Sequence, residues 1–115
     1  MHPFAVLGDP VRRRIVELLA EGERTSGEVV DVVGDEFGIT QSAVSQQLKV
    51  LRDAGFATVR AEGRRRIYAL DPGPLRTIDE WLAHYRAFWR DALEDLAAEV
   101  ERGKVERAAR EGPLS

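Results

Sequence analysis

At 115 residues, with 43% hydrophobic and 32% charged side chains, the chain has the composition of one globular domain with a modest core. No apolar run approaches the ~20 residues of a membrane span, Met1-His2-Pro3-Phe4 lacks the regions of a secretory signal, and the absence of cysteine excludes disulfides and thiolate metal ligands; the expectation is a cytoplasmic protein with no membrane partner. The net charge of -3 hides a division: residues 1–39 hold four basic and eight acidic side chains, residues 40–70 six and two, residues 71–115 seven and ten, so a basic strip that can steer a polyanion lies between acidic flanks.

Asp9-Pro10 marks the first firm helix, because Asp caps free amides and Pro suits the first helical position. That helix is expected to run to about Ala20, with Val11, Ile15, Leu18 and Leu19 as its buried stripe and Arg12, Arg13 and Arg14 splayed around it. The three arginines read as solvated or structural before they read as phosphate contacts. Upstream, Phe4, Val6 and Leu7 predict a short helical turn that packs on a neighbouring element or a second subunit, and residues 21–24 read as a loop.

Thr25 and Glu28 fit a capping box, and Val29, Val32, Val33 and Phe37 continue a helical stripe. The valine pairs suit a strand by propensity, but the cap and the spacing outweigh it. Gly38-Ile39 is a tight turn into a third helix from Thr40 to Gly55. In this third helix Val44, Leu48 and Leu51 face a core, while Gln41, Ser42, Ser45, Gln46 and Lys49 face outward. Short hydroxyls and amides on the outer face are the groups that read base edges in a major groove, and lysine adds a charge for phosphate or guanine.

After Gly55 the period changes from helical to alternating. Residues 56–61 and 65–70 are β-rich and flank the turn Glu62-Gly63-Arg64, which predicts a hairpin. Its tip and second arm carry Arg64, Arg65 and Arg66 beside Tyr68, as suits a flap along a phosphate backbone or in a minor groove; the alternative is protection of a sheet edge. Asp71-Pro72-Gly73-Pro74 then opens a long helix that continues beyond Val100. Leu75, Ile78, Leu82, Tyr85, Trp89, Ala92 and Leu96 step along it by threes and fours as a heptad-like seam, thickened by Trp81 and Phe88. This seam exceeds what one small domain covers, so a second copy of the chain is expected on it. A small apolar ligand among Trp81, Tyr85, Phe88 and Trp89 is the other occupant considered.

The fold class expected is therefore mainly α with a small β-hairpin: a winged helix-turn-helix with a long C-terminal dimerisation helix. It spans residues 1–102, with residues 103–115 as a frayed or disordered tail. The segments Leu7-Gly8-Asp9-Pro10-Val11-Arg12, then the run from Ser42 to Gly55 with its Val-Ser-x-x-Leu-Lys-x-Leu core, then Gly63-Arg64 to Tyr68-Ala69-Leu70, resemble the ArsR family of bacterial and archaeal repressors over about residues 4–100. The resemblance implies a winged-helix homodimer on a palindromic operator in double-stranded DNA, with the first and last helices as the dimer interface: Phe4, Leu7, Leu75, Ile78, Leu82, Tyr85, Trp89 and Leu96. Gln47 stands where many members carry histidine.

Many ArsR proteins release DNA on binding a metal through cysteines on the second helix or Asp, His and Glu on the last. Here the second helix offers only the carboxylates Glu28, Asp31, Asp35 and Glu36, and the last offers His84 with Asp79 and Glu80 but no second histidine. His2 lies at the terminus. No transition-metal site or cofactor is expected, although carboxylates alone suit a hard cation. Nor is an enzyme: no nucleophile has a base and orienter, and no glycine-rich loop cradles phosphate. The sequence leaves room for an unidentified small-molecule or protein effector. The alternative function is a protein-interaction module that uses the long aromatic helix without binding DNA.

Overall fold

The structure, a computed structural model, describes residues 1–111, with side-chain surroundings through Arg107. Five helices and three strands follow in the order α1 (Pro3–Leu7), α2 (Pro10–Glu21), β1 (Arg24–Thr25), α3 (Ser26–Phe37), α4 (Gln41–Asp53), β2 (Ala57–Glu62), β3 (Arg65–Leu70) and α5 (Gly73–Glu111). Two compact units divide the chain, residues 1–79 and the part of α5 from Glu80 onward.

The first four helices each start on a side-chain cap. Asp9 accepts from the amides of Val11 and Arg12 at the start of α2. Thr25 and Glu28 close the capping box of α3, and the Thr40 hydroxyl accepts from Ala43 N at 3.1 Å to begin α4. These are the amides a helix leaves without intrahelical partners. Helix α3 ends on left-handed Gly38 (φ 63°), where the amide of Ile39 turns back to Gly34 O. That stop aims the chain into α4 after two further residues.

The core of this unit joins Val6 of α1, Ile15, Val16, Leu18 and Leu19 of α2, Val29 and Val33 of α3, Val44, Leu48 and Leu51 of α4, and Phe56, Ala57 and Tyr68 of the wing. The i, i+3 and i+4 pattern along each helix is what brings these groups together. Phe37 departs from it: expected on the buried stripe of α3, it is 38% exposed. It is the last residue of α3, next to the Gly38 cap. Val32 is half-buried and packs on the core edge.

The sheet has three antiparallel strands in the order β1-β3-β2. The segment expected to be a loop thus ends in a two-residue strand, with Arg24 opposite Tyr68 and Thr25 opposite Ile67. The cause is tertiary: β3 has a free edge at that point, and the chain leaving α2 supplies partners for its amides and carbonyls. The hairpin starts one residue later than expected, at Ala57, because Phe56 belongs to the end of α4. Its amide bonds to Leu51 O at 2.9 Å while Gly55, at φ 81°, bonds to Arg52 O. This is the Schellman ending, and it needs the glycine.

In α5, helical geometry runs through residues 103–111, past the Arg102 at which the sequence suggests fraying. Ala, Glu, Lys and Arg continue the turn there, with Lys104 and Glu101 paired at 3.6 Å. Residues 112–115 of the expected tail lie outside the described residues. No helix of the described residues is long and apolar enough to cross a membrane.

Candidate nucleic-acid interface

Helix α4 has two faces with opposite chemistry. Val44, Leu48 and Leu51 are fully buried, whereas Gln41, Ser42, Ser45, Gln46 and Lys49 are all exposed. The outward set falls at i, i+1, i+4, i+5 and i+8, which is one continuous stripe of a 3.6-residue helix. None of these five side chains has a partner among the described residues. Their donors and acceptors are therefore free for an external ligand, and the five named from the sequence share one surface.

The wing places Arg64 in the two-residue turn after Gly63, whose φ of 62° suits glycine. Arg65 and Arg66 open β3, opposite Glu62 and Ala61 in the register. All three arginines are exposed, and none is paired among the described residues. Strand alternation sends Arg65 and Arg66 to opposite faces of the ribbon, so the triplet brackets the wing tip instead of forming one strip.

A fourth wing arginine behaves differently. Arg60 donates to Glu23 Oε1 at 2.8 Å and to Glu62 Oε2 at 3.3 Å, and the Glu23 carboxyl sits below its usual range because of that hydrogen bond. The pair ties the segment before β1 to the wing. Sequence reasoning missed it, since partners 37 positions apart carry no local signal of the contact.

The arginines of α2 are also committed. Arg14 makes a two-pronged bond to Glu36 at 2.8 and 3.0 Å, holding that carboxyl low. Arg12 is mostly buried and reaches both α1 and Gln47 of α4. Arg13 alone of this triplet is exposed without a partner among the described residues.

The carboxylates weighed as cation ligands are dispersed or occupied. Glu28 serves the α3 cap, Glu36 serves Arg14, and His84 Nδ1 lies 2.9 Å from Glu80 O of its own helix. Among the described residues no three His, Cys, Asp or Glu converge.

The residues named for a dimer interface fall in two groups. Leu7, Leu75 and Ile78 are half-buried against the core of the first unit, and Phe4 at its edge is 40% exposed. From Glu80 onward the seam is open: Tyr85, Trp89 and Leu96 are exposed, joined by Trp81, Phe88, Leu93 and Val100, with Leu82 half-exposed. Trp81 and Tyr85 pack ring to ring at 4.7 Å. Leu93 and Val100 extend the seam, and their apolar character about one and three turns past Trp89 was the available signal.

The pattern of the family described as "Bacterial regulatory protein, arsR family" matches residues 9–59, from the cap of α2 into β2. The HTH-type transcriptional regulator Rv2034 of Mycobacterium tuberculosis is 38% identical over 98 residues, covering 85% of this chain and 85% of that protein. Among solved structures, the crystal structure of a "possible transcriptional regulator for arsenical resistance" is 38% identical, with a TM-score of 0.62 over 86% of this chain and 96% of the other. The homodimeric winged helix-turn-helix DNA-binding domain Mb0332 of Mycobacterium bovis, 24% identical, shares the fold with a TM-score of 0.56 over 73% of this chain and 77% of that one. With its three-helix head, arginine-tipped wing and long final helix, the chain is a winged helix-turn-helix protein and belongs to the ArsR family of transcriptional regulators.

Proposed function

We propose that this regulator is a homodimeric repressor that binds a palindromic operator in double-stranded DNA near its own operon. The observation that carries the reading is the exposed, unpartnered polar face of α4 backed by a fully buried stripe. In this reading Gln41, Ser42, Ser45, Gln46 and Lys49 enter the major groove. Arg64, Arg65 and Arg66 take backbone or minor-groove contacts on either side of the wing tip. Two heads then read half-sites about one duplex turn apart.

The dimer half of the proposal draws on the exposed aromatic and aliphatic seam of α5, together with Phe4 and Leu7 of α1. An apolar stripe of this length on a helix calls for a covering surface, and a second copy offers the same stripe by symmetry. Sedimentation at micromolar concentration tests it. A compact monomer is the contrary result.

Footprinting on genomic fragments tests the DNA half, with a gel shift across a salt series. The expected result is one protected palindrome upstream of the chain's own gene and an affinity that falls with salt. If no duplex is bound in a salt-sensitive way, the long aromatic helix becomes the functional surface of a protein-interaction module. If the protected site increases transcription on addition of the protein, the assignment as a repressor falls and DNA binding stands.

A further inference from the structure

Gln47 is the only side chain of α4 that hydrogen-bonds another element among the described residues. Its Oε1 accepts from Arg12 Nη1 at 2.9 Å. The same guanidinium donates through Nε to Val6 O at 2.8 Å and through Nη2 to Ala5 O at 3.1 Å. Asp9 Oδ2, from the cap of α2, stands 3.9 Å from Nη1. Arg12 itself is only 14% exposed. One rigid, planar fork thus spans the end of α1, the start of α2 and the middle of α4.

The position of Gln47 gives the bond its significance. It is half-buried on the flank of α4, between the inward stripe and the outward face, and directly follows Gln46. Apolar contact through Val44, Leu48 and Leu51 holds the helix against the core but is non-directional, so it resists separation more than rotation about the helix axis. A hydrogen bond to a fixed guanidinium is directional and weakens steeply off line. Rotation of α4 carries its outer side chains sideways across the groove they would read, and the Arg12 bond opposes that rotation.

We propose that Gln47 is a positioning residue for DNA recognition: gripped by Arg12, it sets the rotation of α4 about its axis and ties the reading face to α1. This inference rests on the DNA-binding reading above. It assigns Gln47 an inward task, distinct from its five outward neighbours.

The test compares wild type with Gln47→Leu, Gln47→Glu, Arg12→Met and the Arg12→Met/Gln47→Leu double variant. The readouts are affinity for a genomic fragment that wild type protects, affinity for a random duplex of equal length, the salt slope of each, and the melting temperature. Gln47→Leu is expected to weaken the protected fragment about tenfold, the scale of one charge-assisted hydrogen bond, with random-duplex affinity and salt slope unchanged. Gln47→Glu keeps an acceptor for Arg12 and is expected to retain the discrimination. In the Arg12→Met background the Gln47→Leu change is expected to add nothing.

Unchanged discrimination in Gln47→Leu overturns the proposal, as do additive losses in the double variant. Loss of discrimination in Gln47→Glu as complete as in Gln47→Leu also overturns it, and shows Gln47 meeting the DNA itself. If Arg12→Met does not fold, the two Gln47 variants decide the question alone. A wild-type chain that binds no duplex removes the DNA-binding reading and this inference with it; a wild type that binds beside an unaltered Gln47→Leu removes only this one.

Discussion

Two runs of three consecutive arginines occur in this chain, Arg12-Arg13-Arg14 and Arg64-Arg65-Arg66, and the fold uses them in opposite ways. On α2, successive residues lie about 100° apart around the axis, so each arginine meets a different environment. Arg12 is drawn in to α1 and α4, Arg14 finds Glu36, and Arg13 is left in solvent. On the wing both faces of a two-stranded tip meet solvent, and all three arginines stay open. The same letters make a brace in one place and a positively charged tip in the other; the backbone beneath them decides which.

That contrast can be broken most forcefully at the wing. Replacing Arg64, Arg65 and Arg66 together by Ala is expected to weaken binding to every duplex and to reduce the salt slope by up to about three. Its melting temperature should stay at the wild-type value, because no partner among the described residues is lost. A triple variant with wild-type affinity at all salt concentrations would return these residues to the role of edge protection.

Next in size is Arg12→Ala. It removes three donors of a mostly buried guanidinium at once, two of them in part-buried bonds, and the expected loss of stability is about 2 kcal/mol, a fall in melting temperature on the order of 10 °C for a chain of this length. Thermal denaturation followed by circular dichroism measures it. A melting point equal to wild type would make this fork ornamental and merge the two triplets into one behaviour.

Arg14→Ala is expected to have a smaller effect, and one that depends on pH. The Arg14 hydrogen bond lowers the Glu36 carboxyl from its usual 4.5. A group with a depressed folded value stabilises above its unfolded value, and the contribution fades as pH falls through the depressed one. Wild type should therefore melt slightly above Arg14→Ala at neutral pH, with the gap closing in acid below the ordinary carboxylate range. A gap that widens in acid has the wrong sign for this account. Arg13→Ala completes the series with the smallest expected change, a melting temperature indistinguishable from wild type.

Local signals made much of the fold legible in the sequence. Asp9, Thr25 with Glu28, and Thr40 cap their helices as their positions suggest. Gly55 stops α4, and β3 covers residues 65–70 as the alternation predicts. Each of these depends on residues within a turn or two of one another. The two-residue strand β1 could not be read, because its reason is the open edge of β3 more than forty positions later. Phe37 was misread because periodicity says which face a residue shares and not how deeply each position on that face is buried.

The site divides in the same way. The outward stripe of α4 follows from helical spacing alone, and its five residues emerge together on one surface. The braces behind it, Arg12 to Gln47 and Arg60 to Glu23, join residues 35 and 37 positions apart. Arginine forms such links with any carbonyl or carboxylate within reach, so neither partner announces the other. The resemblance to a family drew attention to position 47 without indicating that its side chain points back into the protein.

The junction between α4 and the wing has one more consequence. Only three residues separate Asp53 from Ala57, and each is fastened: Ala54 N to Val50 O, Gly55 N to Arg52 O, Phe56 N to Leu51 O, with Phe56 O receiving Asp71 N at 2.8 Å. There is no slack between the helix and the hairpin, so their offset is a fixed length built into the head. The outward letters of α4 can then be rewritten, by drift or by design, without altering where the wing falls. Under the proposed DNA-binding reading, a lineage carrying this joint acquires new target sequences while keeping an unchanged footprint.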